Sequence, residues 1–332
     1  MILEYGPDLL PALAELHRRF AESTPGLPSF SPEHWEAIFA RPGVDPRRDV
    51  LIAARGGEEG LREPAAFCWL FMKSAPERVV LRGPYLPKDD PDREELLGTL
   101  LDKASERAGE LGAGYLEGRS ALAEWAESMA ARGFRRHGAY ERRRLFPIKA
   151  TEALRAIPQG GEIRQWRGIS DLHGLMSLFE KVFSEHWDYI PPRRESWEEV
   201  VRGEHFDPRL VLLAFDERSA IGYAFGESMP DPVSPMLEAA YLVSFGVLRG
   251  HRRKGWARSL LWRWLRNAYD SGRRAAELDV DETNRGARIL YEEFGFRYLR
   301  TEEVWRLDLS GARSVKDGRE NGSVLQRTSE PV

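Results

Sequence analysis

Apolar residues recur along this chain with two different periods, and the change from one to the other falls at turn residues. Over 241–247 the sequence is apolar and rich in strand formers, whereas over 258–269 Leu261, Trp264, Leu265 and Ala268 stand at helical spacing. Read this way, the second half predicts strands over 162–166, 209–215, 220–227, 237–247 and 276–280, and a closing hairpin over 296–309. Helices are predicted over 169–183, 196–203, 258–272 and 285–294. That order describes an α+β domain, a mixed and mostly antiparallel sheet flanked by helices in three layers.

The first half repeats the pattern. Asp8, Leu9 and Phe20 recur 163 residues later as Asp171, Leu172 and Phe183, and Gly133 and Phe134 recur after 162 as Gly295 and Phe296. An offset this constant predicts two copies of one domain, 1–148 and 162–310, joined by a linker over 149–161 where Pro158, Gly160 and Gly161 fall. A polar tail, 311–332, has little that could pack and is expected to be disordered.

Two segments of the second copy carry candidate chemistry. The predicted strand ending at Val247 runs through a basic turn, Arg249, Gly250, His251, Arg252, Arg253, Lys254 and Gly255, into a helix beginning near Trp256 and Ala257. Unpaired N–H groups and partial positive charge at a helix N-terminus suit a pyrophosphate, with Gly255 and Ala257 leaving it room. The bland alternative is a solvated basic turn. Downstream, Asn284 opens a helix as N-cap and Gly295 ends it, with Tyr291 seven residues after Asn284 and on the same face. Without further context Asn284 is a cap and Tyr291 a packed aromatic. No Gly-Lys-Ser/Thr and no Gly-x-Gly-x-x-Gly is present.

The spacing Arg252-x-x-Gly255-x-Ala257 resembles motif A of the GCN5-related N-acetyltransferases (GNAT), and 278–296 resembles motif B of that family. The resemblance implies two tandem GNAT domains and acetyl-CoA as acyl donor. It implies cofactor contacts at Phe245, Val247, Arg252, Arg253, Lys254, Gly255, Trp256, Ala257, Arg258 and Asn284, and Tyr291 as the acid that protonates the departing thiolate. A phenol suits that step, since its pKa of about 10 lies above the thiol's of about 8.5. A backbone N–H near Val247, where the family splays two strands, is expected to meet the oxyanion.

In layout the chain is similar to the double-domain group that includes the mycothiol synthases. Those enzymes carry an acidic residue where this chain has Tyr241, so the general base is sought elsewhere. Glu238 is the first candidate, with Glu227, Asp279, Asp281 and Glu282 as competitors. The first copy lacks the glycine of the turn, crowds that loop with Asp89, Asp90, Asp92, Glu94 and Glu95, and has Leu122 and Met129 in place of Asn284 and Tyr291. It is expected to have kept the fold and lost the cofactor site.

Composition narrows the function further. The 332 residues are 42% hydrophobic and 31% charged with a net charge of −4, which suits a globular protein and counts against a general nucleic-acid binder. Local basic runs at Arg135, Arg136 and at Arg142, Arg143, Arg144 are expected on an exposed strand face. The seven histidines show no ligand spacing, so no metal is expected. The lone Cys68 is expected as buried filler. No long apolar run or signal pattern is found, which makes a cytoplasmic, non-membrane protein the expectation. The sequence thus predicts acetyl transfer to a small-molecule primary amine held between the copies, by a monomer or homodimer. The alternatives are a non-catalytic acyl-CoA-binding or regulatory protein and a nucleic-acid-associated one.

Overall fold

In the first half, β1 (Ile2–Leu3), α1 (Leu10–Glu22), α2 (Pro32–Phe39) and α3 (Pro46–Asp49) precede β2 (Val50–Gly56), β3 (Arg62–Met72) and β4 (Arg78–Tyr85). Then come α4 (Arg93–Glu110), β5 (Tyr115–Ser120), α5 (Ala123–Ala131) and β6 (Arg135–Leu145). The second half repeats this order with β7 (Gly161–Gln165), α6 (Leu172–Phe183), α7 (Arg194–Arg202), β8 (Phe206–Asp216), β9 (Ser219–Pro230) and β10 (Glu238–Val247). It closes with α8 (Trp256–Asp270), β11 (Ala275–Asp281), α9 (Arg285–Glu293) and β12 (Arg297–Asp308). The computed structural model describes residues 1–309 except 25, 26, 28, 41–43, 57–61, 73–77, 121, 122, 150–156, 190, 192 and 231–237. The tail, Leu122 and much of the proposed linker therefore lie outside the described residues.

All twelve strands form one sheet in the order β1-β2-β3-β4-β5-β12-β6-β11-β10-β9-β8-β7. The order is a palindrome of the repeat with its closing strands exchanged. β12, from the second half, pairs with β5 of the first, from Glu303 opposite Ser120 to Asp308 opposite Tyr115. β6, from the first half, pairs with β11 of the second, and the two exchanged strands pair with each other. The expected closing hairpin is thus a single strand that crosses into the other half, and a cut at 148 would not separate two complete sheets.

Helices cover both faces. In the first half Leu97, Leu100, Leu101 and Ala104 of α4 pack with Val79, Leu81 and Leu116, and on the other face α1 and α2 pack Leu13, Trp35 and Phe39 against Ile52 and Phe67. In the second half Leu260, Leu261, Trp264 and Ala268 of α8 pack on Ala224, Ala240 and Leu278, opposite a cluster of Leu175, Leu178, Val211 and Phe225. Each large apolar side chain buried in this way contributes about 1.5–3 kcal/mol. Cys68 is fully buried in the first of these clusters, and burial pushes its thiol pKa up, away from thiolate chemistry. Among the described residues no helix is long and apolar enough to cross a membrane.

His17 lies on the buried side of α1. It is 1% exposed, stacked 4.9 Å from Phe30 and edge-on to Trp35 and Tyr85, and its Nδ1 has no hydrogen-bond partner. Burial, aided by the charge of His34, lowers its pKa from 6.5 to about 4. A folded value below the unfolded one means that its contribution is complete above pH 6.5 and is lost as pH falls through that window to about 4. The shift corresponds to ~3 kcal/mol. Melting temperatures measured across the window should fall with pH, and His17→Phe should flatten that part of the curve; an unchanged slope would exclude His17 as its source.

Candidate active site

β10 and β11 run parallel, but they pair only from Ala239 opposite Ala275 to Leu242 opposite Leu278. β10 then carries an extra residue, Val243, in its pairing with β9 and continues to Val247, while β11 continues to Asp281. Past Leu242 the two strands part. A cavity of about 590 Å³ opens there, lined by Phe245, Asn284 and Tyr291 from the second half and by Arg82, Arg119 and Tyr140 from the first.

Tyr291 is buried on the inner side of α9, between Phe245 at 6.3 Å and Phe296 at 5.8 Å between ring centroids. Burial raises its pKa, so the phenol keeps its proton at neutral pH. Asn284 caps α9 by accepting from the Ala287 N–H at 3.1 Å and also borders the cavity, so the two readings of this residue are compatible.

Beyond Val247 the basic turn leads into α8. Gly255 is the N-cap in the left-handed region at φ +93°, and no side chain caps the helix, which leaves its first N–H groups open. A Cβ at Gly255 would meet nothing within 4 Å, so this position needs glycine for its backbone conformation rather than for room. Arg252 folds back and donates from Nε to the Val247 carbonyl at 3.0 Å, which pins the turn to the strand end. Two expected contacts change character. Trp256 is 2% exposed in the core and Val247 is buried, so only their backbone groups can face a ligand. Arg258 is ion-paired with Glu293.

The candidate bases separate clearly. Glu238 is a correction: it is exposed and pairs with Arg273 at 2.9 Å, outside the cavity. Its spacing of three from Tyr241 puts it on the opposite face of β10. Asp279 is held by Arg142 at 2.5 and 3.0 Å and accepts from the Tyr241 hydroxyl at 2.8 Å. Asp281 accepts from Trp187 Nε1 at 2.6 Å and from both the N–H and the hydroxyl of Thr283, and His186 Nε2 lies 3.0 Å from it. Glu282 pairs with Arg136 at 2.7 Å. Glu227, opposite Tyr241 on β9, lines the cavity. The arginine run is also corrected. Arg142, Arg143 and Arg144 are largely buried at the centre of the sheet, paired with Asp279, Glu141 and Glu277, because β6 has crossed to lie against β11.

The acetyltransferase (GNAT) family model matches residues 172–296, which span α6 to the start of β12. Over those residues the second half is similar to that family. Around them, the structure is similar to that of a GCN5-related N-acetyltransferase from Sphaerobacter thermophilus, at TM-score 0.74 and 21% identity over 93% of this chain and 95% of that one. It is also similar to a tandem GNAT protein from the clavulanic acid biosynthesis pathway, at TM-score 0.66 and 14% identity over 93% and 98%. In sequence, 145 residues are 30% identical to a mycothiol acetyltransferase of Thermomonospora curvata, covering 42% of this chain and 45% of that relative, so the match spans under half the relative's length.

The first half repeats the element order of the second but differs at the equivalent gap. β4 and β5 also stop pairing early, at Leu81 opposite Gly118. There Tyr85 packs against His17, Phe20, Trp35 and Phe67, and Trp125 stacks on Phe20, so aromatic rings occupy the space. Met129, fully buried, lies 3.0 Å from where a Gly118 Cβ would stand. Asp90 and Asp92 are drawn onto Arg55.

What the first half does give to the second is one wall of its cavity. The segment after α6 bridges the halves: the Trp187 ring lies on Gly138 of β6, where a Cβ would fall 2.5 Å from it, and Asp188 accepts from Tyr140, Arg78 and Arg306 at 2.9 Å each. Sequence reasoning missed Arg82, Arg119 and Tyr140. Single residues on separate strands leave no spacing signal.

Proposed function

We propose that the chain transfers an acetyl group from acetyl-CoA directly to a primary amine of a small molecule, with the chemistry in the second half. The observation that carries this reading is the opening between β10 and β11 at a cavity lined by Tyr291 and Asn284, on a strand, β10, whose end leads through the basic turn to the uncapped N-terminus of α8. The open N–H groups of α8 and the basic turn suit the pyrophosphate, and the gap between the strands suits the pantetheine arm and thioester. Glu227, which lines the cavity opposite Tyr241 on the strand next to the opening, replaces Glu238 as the base that accepts the ammonium proton, directly or through water. Tyr291 gives its proton to the leaving sulfur.

The test is CoA-thiol release from acetyl-CoA with a panel of amines, read beside calorimetric binding of acetyl-CoA. Turnover dependent on an amine is expected. Tight binding without turnover on any amine would instead make the chain an acyl-CoA-binding protein. Gly255→Val forces a β-branched residue into a left-handed backbone, and is expected to weaken acetyl-CoA binding at least about tenfold through the displaced turn. Unchanged affinity would remove the turn from the binding site.

A further inference from the structure

Cations are in surplus on the cavity wall formed by the first half. Four arginines gather there around two carboxylates. Arg78 and Arg306 already satisfy both, with Arg78 on Glu117 and at 2.9 Å from Asp188, and Arg306 at 3.0 Å from Glu117 and 2.9 Å from Asp188. Arg119 reaches the same carboxylates only at 3.6 and 3.9 Å, beyond a hydrogen bond, and its buried Nε has no hydrogen-bond partner among the described residues. Arg82 lies over the Phe71 ring at 5.8 Å, and among the described residues no carboxylate is within ion-pair distance of it. Glu302, the next carboxylate in reach, is bound by Arg300 at 2.7 Å, and the charges of Arg142, Arg300 and Arg119 outweigh its burial to hold it ionised. Both Arg82 and Arg119 line the cavity. Burial and the neighbouring Arg119 pull the Arg82 pKa down, as expected of a cation lacking a counter-charge.

Glu227 and Asp279, the latter paired with Arg142, line the cavity beside the strand opening. β5, which carries Arg119, is four strands from β10 in the sheet, a backbone separation of roughly 19 Å at ~4.8 Å per strand. Side chains reach inward from both ends, which leaves a span on the order of 10 Å between an amine at the opening and an anion at the arginines. An α-amino acid is too short to bridge it.

We propose that Arg82 and Arg119 form an oxyanion site for the far end of the acceptor, which is therefore an extended amine bearing a carboxylate or phosphate on the order of 10 Å from its nucleophilic nitrogen. This rests on the acetyl-transfer reading and makes it specific: the first half, without cofactor chemistry of its own, selects the substrate.

The test compares kcat/KM on the full chain for β-alanine, 6-aminohexanoate and 8-aminooctanoate against n-alkylamines and diamines of matched length. An ω-aminoalkyl phosphate series distinguishes phosphate from carboxylate. The longer anionic acceptors are expected to exceed their neutral counterparts by about tenfold or more. Arg82→Met should reduce that ratio to near one, and Arg82→Glu should turn it in favour of diamines. Equal use of neutral and anionic acceptors by the unaltered protein, or a preference that survives Arg82→Met, overturns the proposal. If Arg82→Met does not fold, the unaltered protein's ratio and Arg119→Gln decide. Calorimetric binding of suberate in the absence of acetyl-CoA separates the two readings. Binding that Arg82→Met abolishes, with no amine acetylated, keeps the anion site and removes the transferase; acetylation without anion preference does the reverse.

Discussion

Replacing Tyr291 with phenylalanine is expected to lower kcat about a hundredfold and to leave the affinity for acetyl-CoA within a few-fold of its original value. The substitution removes one oxygen from a ring that remains packed between Phe245 and Phe296, so the fold should not register it. Burial keeps the phenol protonated well past neutrality, hence a proton is available whenever the sulfur leaves. Without it, the thiolate must depart unprotonated or draw a proton from water in a site walled by Phe245 and Leu242. Steady-state thiol release with amine in excess, beside calorimetric acetyl-CoA binding, separates a loss in kcat from a loss in affinity. An undiminished kcat would return Tyr291 to the role of a core aromatic.

The largest effect on stability is expected at Arg78. It is 2% exposed and Glu117 is fully buried, so Arg78→Met takes from both Glu117 and Asp188 a cation that they share with Arg306. Removing one member of a buried ion pair typically costs about 3–5 kcal/mol, because the remaining charge has been taken out of water without compensation. The site joins β4, β5 and β12 to the segment after α6, so the loss should appear in one urea transition for the whole chain rather than in a first-half transition alone. Pairing Arg78→Met with Glu117→Leu should recover part of the loss, since neither charge is then stranded. Arg18→Ala, which removes exposed helix-surface pairs with Glu15 and Glu22, should leave the midpoint where it is. An Arg78→Met midpoint equally unmoved would mean that the cluster is solvated.

Elements and motifs were legible where local chemistry determines them. Helix α9 begins after Asn284 and ends before Gly295, as cap preferences require, and α8 starts at the residue after Gly255. The repeat offset predicted one order of elements occurring twice, not the single palindromic sheet that the two orders form. It could not foretell the exchange of β6 and β12, because two copies of one strand fit either slot with the same alternation of inward and outward residues. That exchange is why Arg142, Arg143 and Arg144 are buried rather than displayed. Glu238 failed on parity, since an odd spacing along a strand changes the face, and Arg82 and Arg119 acquire meaning only once β4 and β5 share a cavity with β10.

The exchange of closing strands also bears on how the chain is made. A ribosome delivers the first half complete in sequence, yet the slot beside β5 stays open until β12, the last of the described strands, has emerged. Until then β5 presents an unpaired edge whose natural occupant is β12 or its repeat-mate β6. Two nascent chains meeting at that stage could each lend a strand to the other, giving an intertwined pair in place of one finished molecule. High expression should therefore favour such pairs, and slow synthesis should suppress them.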